Sequence, residues 1–110
     1  MYKIDLHTHI LPPKWPDFAK RWADDRWVTM AQTSPCCADL MCQGSKFRQI
    51  ESNCWDPKRR IEECDEAGVN VQVLSTVPVM FNYWADGDKA LELAKILNDH
   101  VAQVVREFPN

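Results

Sequence analysis

Two hydrophobic periodicities run along this chain, and they divide it into elements. Residues 2–11 (Tyr-Lys-Ile-Asp-Leu-His-Thr-His-Ile-Leu) alternate as a strand does and end at Pro12-Pro13. A period of two puts Asp5, His7 and His9 on one face and Ile4, Leu6, Thr8 and Ile10 on the other. Ile4 and Leu6 suit the side that helices cover in a parallel sheet. Residues 12–56 keep no period, and Pro12, Pro13, Pro16 and Pro35 interrupt them. A short helical turn within 17–27 and a short strand around Lys46-Phe47-Arg48-Gln49-Ile50 are the regular pieces they suggest. Connections of this length usually have a task, such as covering an active site.

Clearer units follow. A helix is expected over 57–67, with Asp56 as cap, Pro57 at its first position and Gly68 as a left-handed stop. Ile61, Cys64 and Ala67 would face the core. A strand over 69–75 places Val69, Val71 and Val73 on one face, and an aromatic loop with Phe81, Tyr83 and Trp84 comes next. Leu91, Ala94, Leu97, Val101, Val104 and Phe108 recur at helical spacing, which predicts a helix over 88–108 closed by Pro109. Strand, long loop, helix, strand, loop, helix is the grammar of βαβ units. Two parallel strands alone leave edges exposed and a face bare. A complete eight-stranded α/β barrel needs roughly 250 residues, against 110 in this chain.

The sharpest chemical signal is His7-Thr8-His9, two imidazoles on one strand face at a spacing that one divalent ion can bridge. Zinc suits such nitrogens, as would iron, cobalt or nickel. Asp5, two residues back, either buttresses a ligand from behind or is an ordinary satisfied carboxylate. The expected fold class is therefore α/β, the N-terminal portion of a metal-dependent (β/α)8 TIM barrel, incomplete within residues 1–110; the alternative is a small, whole two-layer α/β domain. A catalytic zinc usually has three protein ligands. The remaining histidine, His100, lies in the last helix opposite the apolar stripe and reads as solvated or helix-packing. Further ligands must then come from outside this sequence, and no residue in it is assigned as catalytic.

Arg48 is a basic side chain in the long connection, able to grip a carboxylate bidentately. Lys58, Arg59 and Arg60 beside Glu62 and Glu63 read as a solvated helix face. Phe81, Tyr83 and Trp84 either wall a pocket or pack a barrel end. The composition is 45% hydrophobic and 26% charged, that of a folded domain, and the net charge of -3 excludes a basic nucleic-acid footprint. No apolar run is long enough for a membrane span, and no signal peptide opens the chain, so a cytoplasmic location is expected. Five cysteines, an odd number without a secretory signal, are expected as scattered reduced thiols. The spacing of Cys36, Cys37 and Cys42 matches no zinc ribbon. Three glycines and no glycine-rich loop exclude a dinucleotide fingerprint.

The segments IDLHTHILPPKWPD, KFRQIESNCWDP, RIEECDEAGVNVQVLSTVPVMFNYWA and ILNDHVAQVV run through almost the whole chain. Together they resemble the 2-amino-3-carboxymuconate-6-semialdehyde decarboxylase family of the amidohydrolase superfamily. That resemblance implies a barrel with one Zn2+, His7 and His9 as two of its ligands, and Arg48 holding a substrate carboxylate. It also implies later-strand ligands, an acid–base histidine, and a homodimer in which a partner arginine completes the site. Some relatives carry a lysine just before this arginine. Cys42 falls near that position, with Ser45 and Lys46 nearby, so either Lys46 substitutes or the contact is lost. Phe81 and Trp84 are further candidates to touch substrate.

The implied activity is zinc-dependent, non-oxidative decarboxylation of 2-amino-3-carboxymuconate 6-semialdehyde to 2-aminomuconate 6-semialdehyde in tryptophan catabolism, which diverts flux from quinolinate. The partner is a small dicarboxylate semialdehyde, not nucleic acid or membrane, and no organic cofactor is implied. Two other readings stand beside it. One is a related decarboxylase acting on another unsaturated acid, and the other is a truncated, inactive or regulatory product.

Overall fold

The computed structural model describes residues 1–109. In chain order the elements are β1 (Ile4–Ile10), α1 (Phe18–Arg21), β2 (Thr29–Ser34), β3 (Cys37–Cys42), β4 (Ser45–Glu51), α2 (Pro57–Ala67), β5 (Val71–Thr76) and α3 (Gly87–Glu107), with 3-10 turns at Ser52–Cys54 and Pro78–Met80. They form two compact units, Met1–Pro12 with Asn53–Asn110, and Pro13–Ser52. The architecture is mixed α/β with a two-stranded and a three-stranded sheet, and no closed barrel forms among the described residues.

In the first unit β1 and β5 pair in parallel, started by reciprocal bonds in which the Lys3 amide donates to Asn70 Oδ1 (2.8 Å) and the Asn70 amide to the Lys3 carbonyl (2.9 Å). Helix α2 begins where Asp56 accepts the Lys58 amide, with Pro57 in the first turn. It stops at Gly68, whose φ of 71° is the left-handed conformation that glycine adopts without a Cβ penalty. The Val69 amide then returns to the Cys64 carbonyl at 2.8 Å. Helix α3 buries Leu93, Leu97 and Val104, while Leu91 is 52% exposed. The expected stripe otherwise holds, with Leu97 and Val104 buried and Ala94, Val101 and Phe108 half-buried, and Leu93 joins it. Leu93, Leu97 and Val104 keep the 3.6-residue phase, and Leu91 falls off its edge.

The faces of β1 also differ from simple alternation. Asp5 lies opposite Gln72 and Thr8 opposite Leu74, so three steps along β1 match two along β5. This bulge puts Asp5 on the same face as Thr8 and Ile10. Ile10, Gln72 and Leu74 line a cleft of about 440 Å³ with Ile61 and Cys64 of α2 and Val104 of α3, so the helices cover that face. Ile4 and Leu6 are not helix-covered. They are 54% and 75% exposed, on the bare side with Val71 and Val73.

In the second unit the long connection read over residues 12–56 carries the short helical turn (α1) and the short strand (β4) expected in it, but β2 and β3 make it more than a loop. Strands β2, β3 and β4 form an antiparallel meander. Its β3–β4 turn is Gln43-Gly44, both at positive φ (54° and 76°), the backbone of a two-residue hairpin whose twist matches its strands. The core is Phe18, Trp27, Val28, Ala38, Leu40 and Ile50. Trp22 stacks on Phe18 (centroids 4.3 Å apart) and meets Trp27 at 4.8 Å. Trp15 Nε1 donates to the Val28 carbonyl at 3.1 Å. These aromatics, rather than a long apolar run, bury the meander's inner face. Cys36 and Cys37 are joined by a disulfide where the β2–β3 turn brings neighbouring side chains together, so they are not the reduced thiols expected. Cys42, Cys54 and Cys64 are not disulfide-bonded.

His100 is half-buried rather than solvated, its Nδ1 enclosed without a hydrogen-bond partner. Burial holds its pKa below the ordinary 6.5, against a smaller upward pull from Glu107. The unfolded chain then binds the proton more tightly. The contribution to stability is full above 6.5 and is lost as pH falls from there through the folded-state pKa. Urea midpoints taken at about pH 7.5 and about pH 5.5 are expected to drop more for the wild type than for His100→Gln.

Candidate metal centre

Parallel pairing brings the C-terminal ends of β1 and β5 to one edge of the sheet, the edge where α/β folds place their chemistry. His7 and His9 stand there on the bare face, His7 exposed and His9 half-buried. Two positions apart on the strand, their rings lie side by side, with centroids 5.0 Å apart and planes at 86°. Both offer nitrogen donors suited to zinc or a neighbouring transition ion. Among the described residues there is no group of three or more His, Cys, Asp and Glu able to hold a metal. The pair therefore fits two corners of a coordination shell and leaves the others to be supplied.

His9 is held from several sides. Its Nδ1 lies 3.0 Å from Ser75 Oγ and 3.1 Å from the Thr76 carbonyl. Ser75 is the register partner of His9, and its hydroxyl donates to the Thr8 carbonyl at 2.7 Å. Thr8 Oγ1 in turn donates to the Val73 carbonyl at 2.9 Å. The His9 carbonyl accepts from Arg60 Nη1 at 2.9 Å. The same Nη1 donates to the Asn53 carbonyl (2.8 Å), and Nη2 to Gln72 Oε1 (3.1 Å). Arg60 is therefore no part of a solvated face, because its guanidinium ties β1, the turn before α2, and β5 into one joint. Arg59, half-buried, is paired with Glu63 at 3.1 Å.

Asp5 accepts the His7 backbone amide (3.2 Å) and not an imidazole N–H. The bulge turns it to the helix side, where it lines a hollow with Gln72, Arg60, Glu63 and Cys64. Burial pushes the Cys64 thiol up, opposed by the Arg60 charge, so this thiol is a packing group rather than a nucleophile.

The other expected residues are distributed over both units. Phe81 and Trp84, 43% and 41% exposed, lie in the segment that follows β5, and Phe81 meets Tyr83 with centroids 5.7 Å apart. Buried Asn82 organises that turn at φ 53°, donating from Nδ2 to the Met80 carbonyl at 3.0 Å. Arg48 and Lys46 are exposed on β4 of the second unit, opposite Leu40 and Met41. The Arg48 guanidinium stands 5.8 Å from the Phe47 ring centroid. Sequence reasoning missed Ser75 and Arg60. The signal for Arg60 was a cation near the N-terminal turn of α2, where the helix dipole disfavours it and a tertiary partner is needed. Ser75 carried no signal of its own.

No protein-family model matches the chain. Curated relatives do. A 2-amino-3-carboxymuconate-6-semialdehyde decarboxylase of Dictyostelium discoideum is 54% identical over 107 residues, covering 97% of this chain and 30% of the relative. One of Caenorhabditis elegans is 38% identical over 108 residues, 98% of this chain and 27% of the relative. One of Sus scrofa is 41% identical over 49 residues, 44% of this chain and 36% of the relative. The chain thus spans about 30% of the length of the first of these proteins.

Proposed function

We propose that this chain, which belongs to the 2-amino-3-carboxymuconate-6-semialdehyde decarboxylase family, supplies the first two metal donors of a zinc-dependent carboxy-lyase. The whole protein would decarboxylate 2-amino-3-carboxymuconate 6-semialdehyde to 2-aminomuconate 6-semialdehyde, within an amidohydrolase-type barrel that is a homodimer in the cytoplasm. The observation that carries this reading is the His7–His9 pair, edge to face at the C-terminal end of a parallel strand. Among the described residues no helix is long and apolar enough to cross a membrane.

In this reading His7 and His9 would hold Zn2+, which when bound supplies Lewis-acid polarisation of the reacting centre. The chain's own residues orient and bind. Ser75, Thr76 and Arg60 fix the His9 ring and backbone. Arg48, with Lys46 beside it in β4, would pair with a substrate carboxylate, since a guanidinium fork matches that group in two hydrogen bonds. Phe81 and Trp84 would offer flat apolar surface to a conjugated substrate and exclude water. Asp5 acts further back, steadying the His7 backbone.

The test is a chimaera in which residues 1–110 replace the matched segment of the Dictyostelium relative. It is expected to retain zinc and to consume the semialdehyde, followed by loss of substrate absorbance. A folded, zinc-loaded chimaera with no turnover overturns the assignment. The 110-residue chain alone is expected to show no turnover, because two donors do not complete a catalytic site.

A further inference from the structure

A metal can be bound by only one nitrogen of each imidazole here, and which one is set by the other nitrogen's partner. For His9 that partner is not in doubt chemically. Nδ1 faces the Thr76 carbonyl at 3.1 Å, and a carbonyl oxygen can only accept. Its second neighbour, Ser75 Oγ at 3.0 Å, has already committed its one proton to the Thr8 carbonyl at 2.7 Å. The serine therefore turns a lone pair toward the ring. Both partners call for a proton on Nδ1. The neutral ring is then the Nδ1–H form, with the lone pair on Nε2, the nitrogen left free of these contacts.

From this geometry we propose that Ser75 is a positioning residue that selects the Nδ1–H tautomer of His9 and so presents Nε2 as the metal donor. A free histidine side chain in water favours the opposite, Nε2–H, form. The site must therefore impose the tautomer, and it does so with groups from β5 lying in register beside His9. The serine hydroxyl acts as a relay. It is anchored to the backbone of β1 through Thr8, and that anchor fixes which way its lone pairs point. The Thr76 carbonyl, a backbone acceptor at 3.1 Å, supports the same form from beside it. The role rests on the reading of His7 and His9 as metal donors, yet it is set up before any metal arrives.

The experiment is long-range 1H–15N NMR of the metal-free chain, in neutral imidazole, on wild type, Ser75→Ala and Ser75→Thr. A cobalt(II) titration of the same samples follows. Wild type is expected to show a pyrrole-type Nδ1 and a pyridine-type Nε2 at His9. Ser75→Ala is expected to shift both toward averaged values and to weaken cobalt binding about tenfold. Ser75→Thr, which keeps the hydroxyl and suits a strand, is expected to restore both. A merely structural serine would leave the 15N pattern unchanged in Ser75→Ala. That result, or an Nε2–H form in the wild type, overturns the proposal. If the tautomer and its response to Ser75 are as expected but cobalt does not bind at His7 and His9, the metal reading fails and the positioning role survives.

Discussion

Replacing His9 by alanine in the zinc-loaded chimaera is expected to empty the metal site and abolish decarboxylation. Partners in the outer shell of a metal site carry roughly 10- to 100-fold in affinity, and a direct ligand carries more. His9 is also the better fixed of the pair, half-buried and held at both its ring and its carbonyl. His7 is exposed, with its backbone amide held by Asp5. Losing His9 therefore removes a donor whose ordering cost the fold has already met, whereas replacing His7 removes one that a water can partly stand in for. The expected order of zinc retention is wild type, then His7→Ala, then His9→Ala, read by metal analysis after dialysis against a weak chelator. Unchanged zinc in His9→Ala, with circular dichroism intact, would remove the ligand assignment altogether.

What could be read from the sequence was whatever local chemistry decides. Helix α2 was legible because Asp56, Pro57 and Gly68 each have one favourable use at a helix end. The pair of histidines was legible because a period of two is fixed by the strand itself. The bulge between Asp5 and Thr8 was not, because it depends on how β1 registers against β5, a partner more than sixty residues away. It separates Asp5 from the histidines and leaves Ile4 and Leu6 bare, both contrary to simple alternation. Of the meander of residues 29–51 the strand around 46–50 was legible, and the other two strands escaped for a different reason. Its strands carry few large aliphatic residues, and the apolar surface they need comes from Phe18, Trp22 and Trp27 in a segment that is itself mostly irregular. Periodicity within each strand could not reveal a core supplied from elsewhere. In the same way Ser75 is an unremarkable strand serine until its register partner is known to be His9.

Arg60 is the other side chain whose loss is expected to be large. Its guanidinium is half-buried and answers three acceptors, the carbonyls of His9 and Asn53 and the amide oxygen of Gln72, at 2.8 to 3.1 Å. No carboxylate is among these three partners, so the charge is stabilised by oriented neutral dipoles. Its Nε remains enclosed without a partner, a cost the other bonds must offset. A cation this near the start of α2 also opposes the helix dipole. The arginine is therefore retained against two local penalties by what it joins. Arg60→Ala leaves three polar groups without their donor and opens the junction between β1 and β5. The expected loss is about 2 to 4 kcal/mol, from charge-assisted bonds worth roughly 1.5 to 3 each and part-replaced by water. Arg60→Lys is expected to recover less than half, because an ammonium on a flexible stem cannot span acceptors that a planar fork reaches together. Urea unfolding followed by circular dichroism tests both, and a loss under about 0.5 kcal/mol for Arg60→Ala would place it among ordinary surface substitutions. Because the His9 carbonyl is one of the three acceptors, the same variant should also loosen the metal donor. Zinc affinity is then expected to fall even at temperatures where Arg60→Ala remains folded, which ties the stability of this joint to the order of the site it carries.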